Sequence, residues 1–356
     1  MTVLPDINLD SQVIQELVHK MAQEDYKSFD PYDGLSSPFA KALRGSLLKR
    51  VFVQGVKRTP YFFRPVFLIP KHQMAVVLAH VLESVKISDR WLTRIDKDEL
   101  ERAILLKQKP DGGWGYEFDA VLRWGSYTAE DSNLIATYFC VKALNIVCPE
   151  GAWKAKAREY LEGQFAEGFF RYANSNESLI HNANLLGALA LHMCGGQEET
   201  VQTAIHTSLE LQNDDGSWWY GEAPDLRWVD SFHTCYVLQA LAELDAEGFD
   251  TRGAISRGKS YWDRELYNSG ELKYFSSDLK KTSDLNTIAC ALHLEVTIAS
   301  KLGSYSGGNT RLLELRSQLM GQLSGDRSSS QAFRWKSAPA LLALAYSFKL
   351  LDQNND

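Results

Sequence analysis

The side chains of this sequence best suited to chemistry are four aspartates and two histidines: Asp119, Asp131, Asp230, Asp284, His181 and His233. All but Asp119 stand at the polar opening of an apolar run. Two carboxylates flanking a glycosidic bond can hydrolyse it. An imidazole paired with a tyrosine or an asparagine can instead draw a proton from C5 of an acidic sugar, the first step of an elimination or an epimerisation. Asp230 and His233, at i and i+3, could share a cation. No HExxH or paired-cysteine motif accompanies them, so neither a metal nor any other cofactor is expected. GxxxxGK[ST], GxGxxG after a strand and GxSxG are absent, which leaves nucleotide binding and serine hydrolysis without support.

Each of these residues also has a local use. Asp131, Asp230 and Asp284 suit helix N-caps, as do Asn182 and Asn184 in "HNAN". Candidates for substrate contact are Trp114, Tyr116, Trp124, Tyr127, Trp218 and Trp228, with the amides of Asn182, Asn184 and Asn286 and the guanidinium of Arg64 in "YFFRPVF". Aromatic faces stack on the C–H faces of sugars, and amides and acids bind their hydroxyls.

The aromatic residues recur in register. From Gln108, glycine follows at +4 (Gly112), tryptophan at +6 (Trp114) and tryptophan at +16 (Trp124); from Gln212 the same offsets give Gly216, Trp218 and Trp228. Asp111 and Asp215 repeat as well. Weaker copies run through Gln164, Gly168 and Phe170, through Gly270 and Tyr274, and to Trp335. Repetition at this spacing points to a repeat architecture.

Apolar helical runs follow the aromatic pieces and open at Lys71, Asp131, His181, Asp230, Asp284 and Lys336. They are apolar nearly all round, as helices buried on both sides are. Between them lie amphipathic stretches such as "KDELERAILLKQ". Six buried helices alternating with six amphipathic ones predict an all-α (α/α)6 toroid with short aromatic-rich turns. The expectation is one domain over 1–356, with an N-terminal extension over 1–35 and a polar tail at 353–356. The helix before the first run is either Asp10–Glu24 or Pro38–Val53. In a closed ring the outer-to-inner linkers share one mouth, which would gather the candidate residues.

The 356 residues, 45% hydrophobic and 23% charged, have the composition of a globular protein. A net charge of −7 argues against a nucleic-acid partner and gives no help to binding at an anionic membrane surface. The five cysteines form no CxxC pair and read as buried free thiols. No signal peptide and no uncharged apolar stretch of membrane-spanning length occurs, so no stable membrane insertion is expected and the expected compartment is the cytoplasm.

The segments "KSFDPYDGLSSP", "VKRTPYFFRPVFLIPK", "GGWGYEFD", "HNANLLGALAL" and "QNDDGSWWYGEAPDLRWVDSFHTCYVL" resemble the VpsJ-type proteins of bacterial polysaccharide-biosynthesis loci. The resemblance covers residues 25–240, and more loosely the rest, and implies a place in exopolysaccharide or lipopolysaccharide assembly, acting on a glycan or lipid-linked glycan, in a biosynthetic complex. More distantly, the Q-x-x-D-G-x-W spacing resembles the QW repeats of terpenoid cyclases and protein prenyltransferases, which share the α/α toroid. That implies an isoprenoid-handling alternative, although the D-x-D-D signature is absent. "SDLNT" departs from the VpsJ-type pattern, in which an aspartate and a histidine stand there; Asn286 in place of the histidine implies a third alternative, a non-catalytic glycan-binding subunit.

Overall fold

The computed structural model describes residues 7–88, 95–121, 125–268, 270–277, 284–303, 308–325 and 331–353. Its helices are α1 (Ile7–Gln23), α2 (Pro38–Ala42), α3 (Ser46–Arg58), α4 (Ala75–Ile87), α5 (Lys97–Leu106), α6 (Leu134–Val147) and α7 (Trp153–Gln164). There follow α8 (His181–Met193), α9 (Glu198–Glu210), α10 (Ser231–Ala246), α11 (Arg252–Tyr261), α12 (Leu285–Leu302), α13 (Gly308–Gly325) and α14 (Ser337–Gln353). Among the described residues, the strands are two-residue antiparallel pairs: β1 (Lys27–Ser28) with β2 (His72–Gln73), β3 (Ala120–Val121) with β4 (Ser126–Tyr127), β5 (Phe165–Ala166) with β6 (Phe169–Phe170) and β7 (Tyr267–Asn268) with β8 (Glu271–Leu272), beside the isolated bridges Ile180–Gly221 and Asp230–Phe275.

The apolar runs form the inner ring. Each of α4, α6, α8, α10, α12 and α14 packs on the next, and α14 returns to pack on α4. Every residue from Ala75 to Val85 of α4 and from His181 to Leu191 of α8 is buried, and most of them are apolar. The outer helices bury one stripe each. In α9 that stripe is Val201, Ala204, Ile205 and Ser208, at i, i+3, i+4 and i+7. This is the (α/α)6 toroid expected.

The first repeat departs from the expected boundaries. Ile14, Leu17, Val18 and Met21 of α1 are buried, and α1 packs against α13 and α14. Within 1–35, read above as an extension, α1 therefore belongs to the outer ring. The excursion is instead α2 and α3, which fold onto a 3-10 turn at Asp33–Ser36 in the long linker before α4. Of the polar tail at 353–356, residues 354–356 lie outside the described residues, and α14 ends at Gln353.

The repeated motif has one structural job in both strong copies. Gln108 donates its amide to Gly112 O and to Trp153 O (2.8 and 3.0 Å), and Gln212 donates to Gly216 O and Ala254 O (2.9 and 3.0 Å). Each glutamine thus ties its own turn to the start of the next outer helix. The aspartate of each copy accepts the N–H two residues on, at Gly113 and at Ser217. Trp114 and Trp218 are buried wedges whose indoles donate to main-chain carbonyls ten residues upstream, Ile104 O and Ser208 O, at 2.8 Å in both. Gly112 and Gly216 both have φ of +94°, a backbone open to glycine at little cost.

Candidate active site

The linkers meet at one mouth, as the closed ring requires. A cavity of about 950 Å³ opens there, and all six inner helices and the linkers line it. The inner helices contribute a common register. The second residue of five of them lines the cavity: Val76, Ile135, Asn182, Phe232 and Asn286. So does the sixth residue of four: His80, Phe139, Leu186 and Tyr236. Residues four apart share a helix face, so one face of each helix looks into the hollow.

Asp230 and His233 are brought together on the wall. Asp230 caps α10: its Oδ1 accepts the backbone N–H of His233 at 2.8 Å. Its Oδ2 accepts the indole N–H of Trp228 at 2.8 Å and lies 2.6 Å from His233 Nδ1. Burial alone would raise this carboxyl; the His233 imidazole and the hydrogen bonds of His233 and Trp228 outweigh it and hold Asp230 below the usual carboxylate value. An ionised carboxylate only accepts, so the neutral imidazole carries its proton on Nδ1. Nε2, which has no hydrogen-bond partner among the described residues, is then the basic nitrogen. The Tyr220 ring covers His233 at 4.2 Å between centroids and stacks on Trp228 at 4.7 Å.

On another part of the wall, Tyr116 and Tyr172 share a hydroxyl–hydroxyl bond of 2.7 Å. The Arg334 guanidinium lies over the Tyr116 ring at 4.2 Å, and Asp30 holds its Nε at 2.6 Å. The Oδ1 atoms of Asn182 and Asn286 are buried in the lining without hydrogen-bond partners. Three cations line the cavity, Arg50, Lys57 and Arg334, against one carboxylate among the described residues, Asp230.

At the floor, His80 packs on Phe139 at 4.4 Å. Below it Lys142 of α6 reaches Glu243 of α10 at 2.7 Å and Glu83 of α4 at 3.6 Å, and Tyr346 of α14 donates to Glu83 at 2.6 Å. Burial would lower Lys142, but Glu243, Tyr138, Tyr346 and Glu83 hold it above its usual value, so it stays charged. This network ties inner helices across the axis of the ring.

Of the expected site residues, Asp230, His233, Tyr116, Trp228, Asn182 and Asn286 line the cavity. The others among the described residues do not, and each has a structural engagement. Asp131 accepts Thr128 N and Oγ1 (2.7 and 2.9 Å), and the cap of α6 is Asn133. Asp119 is exposed and accepts Ala129 N. Asp284 caps α12 through Thr287. His181, first residue of α8, is buried between Ser208 Oγ and Glu222 (3.2 and 2.9 Å). Asn184 holds Phe170 N and Ala204 O. Tyr127 donates to Asp131 O, and Trp114 and Trp218 are the wedges already described. Arg64 is buried in an ion pair with Asp33 at 3.0 Å and also donates to Val56 O. Trp124 lies outside the described residues.

Arg50 and Lys57 were missed because they sit in the α3 excursion, which carries no trace of the repeat. Arg334, in "SSQAFRW", stands just before the last apolar run, where that run opens at the mouth. Among the described residues no group of three or more His, Cys, Asp or Glu side chains could hold a metal ion.

No family model matches the chain, and no curated protein matches it. Solved structures are similar. A C. acetobutylicum ATCC 824 glycoside hydrolase from family 105 aligns with a TM-score of 0.58 at 11% identity, over 78% of this chain and 94% of that one. Rex8A from Paenibacillus barcinonensis, complexed with xylose, aligns with a TM-score of 0.48 at 13% identity, over 78% and 82%. The first likeness agrees with the (α/α)6 toroid that the helix packing shows.

Proposed function

We propose that this chain, a single toroid domain, is a carbohydrate-active enzyme that binds an acidic saccharide in the cavity and uses His233 as its general base. The carrying observation is the His233–Asp230 dyad on a wall whose charged groups are otherwise cationic. A chain of net charge −7 that gathers Arg50, Lys57 and Arg334 around one hollow favours an anionic ligand. Trp228, Tyr220 and Tyr116 supply faces for sugar rings, and Asn182 and Asn286 supply unsatisfied acceptors for hydroxyls. The similar glycoside hydrolase is in keeping with a saccharide.

The chemistry favoured is proton abstraction next to a uronate carboxylate. The C–H bond breaks, the proton passes to His233 Nε2, and the electron pair is taken up by the carboxylate. Asp230 stabilises the imidazolium that forms. Return of a proton to the opposite face epimerises the sugar; departure of the β-oxygen with its bonding pair, and its protonation, leaves a double bond. Hydrolysis by the two-carboxylate route would need a second carboxylate across the cavity from Asp230, and among the described lining residues there is none. The isoprenoid alternative needs an apolar hollow, whereas this lining sets Asp230, His233, Asn182, Asn286 and Arg334 among its aromatic rings. A role in exopolysaccharide biosynthesis, on a free or lipid-linked glycan, is the reading that the VpsJ-type motifs support.

The test is incubation of the purified chain with uronate-containing and neutral oligosaccharides, followed by mass spectrometry and by ultraviolet absorbance of an unsaturated uronate. Wild-type turnover of acidic substrates that disappears in folded His233→Ala supports the reading. Undiminished turnover in that variant overturns the site, and glycan binding without product assigns the chain to the non-catalytic alternative.

A further inference from the structure

The excursion between α1 and α4 has a surface that the toroid does not need. Residues 38–71 hold eight of the chain's 38 Lys and Arg and none of its 45 Asp and Glu, which leaves the rest of the chain at −15, 30 basic against 45 acidic. Arg64 and Lys71 are paired with Asp33 and Glu24. Lys41, Arg44, Lys49, Arg50, Lys57 and Arg58 have no acidic partner among the described residues. The same stretch carries eight of the eleven exposed large apolar side chains of the described residues. Soluble surfaces scatter such residues singly; a cluster of them marks an interaction site.

The arrangement on α3 is directional. Val53 and Val56 point inward, with Phe52 half-buried beside them. On the opposite side Leu47, Leu48 and Val51 are 71%, 54% and 62% exposed. Along one edge between them, Arg50, Gln54 and Lys57 line the cavity. Phe39 on α2 and Phe62 and Val66 on the following 3-10 turn, Tyr61–Phe67, add apolar surface that is 51%, 64% and 66% exposed. The turn is fastened to α3 through Arg64, which donates to Val56 O, and through the edge-on contact of Phe52 with Phe67. Solvent-facing Leu and Phe rimmed by Lys and Arg on a helix beside a rigid body is the composition of an interfacial membrane anchor. The local charge reverses what the net charge suggested for an anionic surface.

We propose that this excursion docks the protein on an anionic phospholipid bilayer, with the apolar face of α3 and the Phe62 turn in the headgroup boundary and the cavity mouth held beside the lipid. No helix among the described residues is long and apolar enough to cross a membrane, and docking of this kind requires none. The proposal is independent of the reaction in the cavity.

The full chain is sedimented with vesicles of phosphatidylcholine alone and with vesicles containing phosphatidylglycerol, at low and high salt. Two variant sets are compared, Leu48→Ser with Val51→Ser and Phe62→Ser, and Lys41→Glu with Arg44→Glu and Arg58→Glu. These side chains are exposed, so unchanged circular dichroism and thermal unfolding are required of both sets. The expected result is binding to the phosphatidylglycerol vesicles that weakens with salt, and a loss of roughly tenfold or more in partitioning for each set. Wild-type protein left in the supernatant with both vesicles overturns the proposal, as does salt-independent binding to phosphatidylcholine or binding that neither set weakens. Self-association without vesicles that the apolar set abolishes also overturns it, and gives the surface to a second copy.

Discussion

Asp30 and Arg334, 304 residues apart in the chain, meet at 2.6 Å where the first and last linkers of the toroid come together. Trp335 donates its indole N–H to the same carboxylate oxygen at 3.1 Å, and two further bonds flank the pair: Phe29 N–H donates to Gln331 O, and Phe333 N–H donates to the Ser28 hydroxyl oxygen. The inner ring closes through the packing of α14 on α4, and this cluster closes the mouth. Asp30 therefore has two roles: it fastens the ends of the ring, and it fixes the guanidinium that faces the cavity.

Replacing Asp30 by alanine should destabilise the fold by roughly 3–5 kcal/mol, because it strands the largely buried Arg334 guanidinium without its counter-ion. Urea unfolding measures this. A change of less than about 1 kcal/mol, the range of an exposed pair, would show that the mouth is held by other contacts.

The toroid was legible because its two periodicities are independent and agree. The apolar runs identify the inner helices, and Gln108 and Gln212 make the same two bonds in their separate repeats. The site was less legible because an α-helix turns about 100° per residue, so a shift of one position decides what a side chain faces. His181 begins α8 and points outward to Ser208, while Asn182, one residue on, lines the hollow. The same shift decides α6, where Asp131 suited the cap: its carboxylate turns back to Thr128, and Asn133, two residues on, caps the helix instead. Arg50 and Lys57 were hidden for another reason: α3 belongs to no repeat, and no local pattern says that its edge faces the cavity.

Gly216→Ala should cost about 2 kcal/mol or more. An added Cβ would lie 2.4 Å from Arg257 O, on a backbone with φ of +94° that side chains rarely adopt. Gln212→Ala, which removes the bonds to Gly216 O and Ala254 O, should cost roughly 1–2 kcal/mol. Thermal unfolding of the two variants checks the assignment of the motif to the turn, and wild-type stability in both would refute it.

Stability should fall with acid through His80. Burial first, and Lys142 second, hold its pKa down to about 3, against 6.5 for a free imidazole. Below 6.5 the unfolded chain takes up a proton that the folded chain refuses until about 3. The stability contribution is therefore complete above 6.5 and is lost as pH falls from there toward 3, by about 2 kcal/mol at pH 5. His293, held below its usual value by burial and by Lys142 and His80, acts in the same sense. Urea unfolding of wild type and His80→Gln at pH 7 and pH 5 should show a smaller acid loss in the variant; equal losses would mean that His80 is protonated in the folded state.

Asp230→Asn separates the dyad's chemical role from its role in the helix. An amide oxygen can still accept the N–H of His233, and asparagine caps helices as well as aspartate does, so the fold should survive. The carboxylate that fixes the Nδ1 proton and stabilises the imidazolium is gone, and with it the poised basicity of Nε2. On the substrate found by the oligosaccharide screen, kcat should fall on the order of 100-fold or more with KM little changed, since the loss is felt when the proton moves. An Asp230→Asn protein with wild-type kcat would reduce Asp230 to a helix cap and leave His233 without the partner that makes it a base.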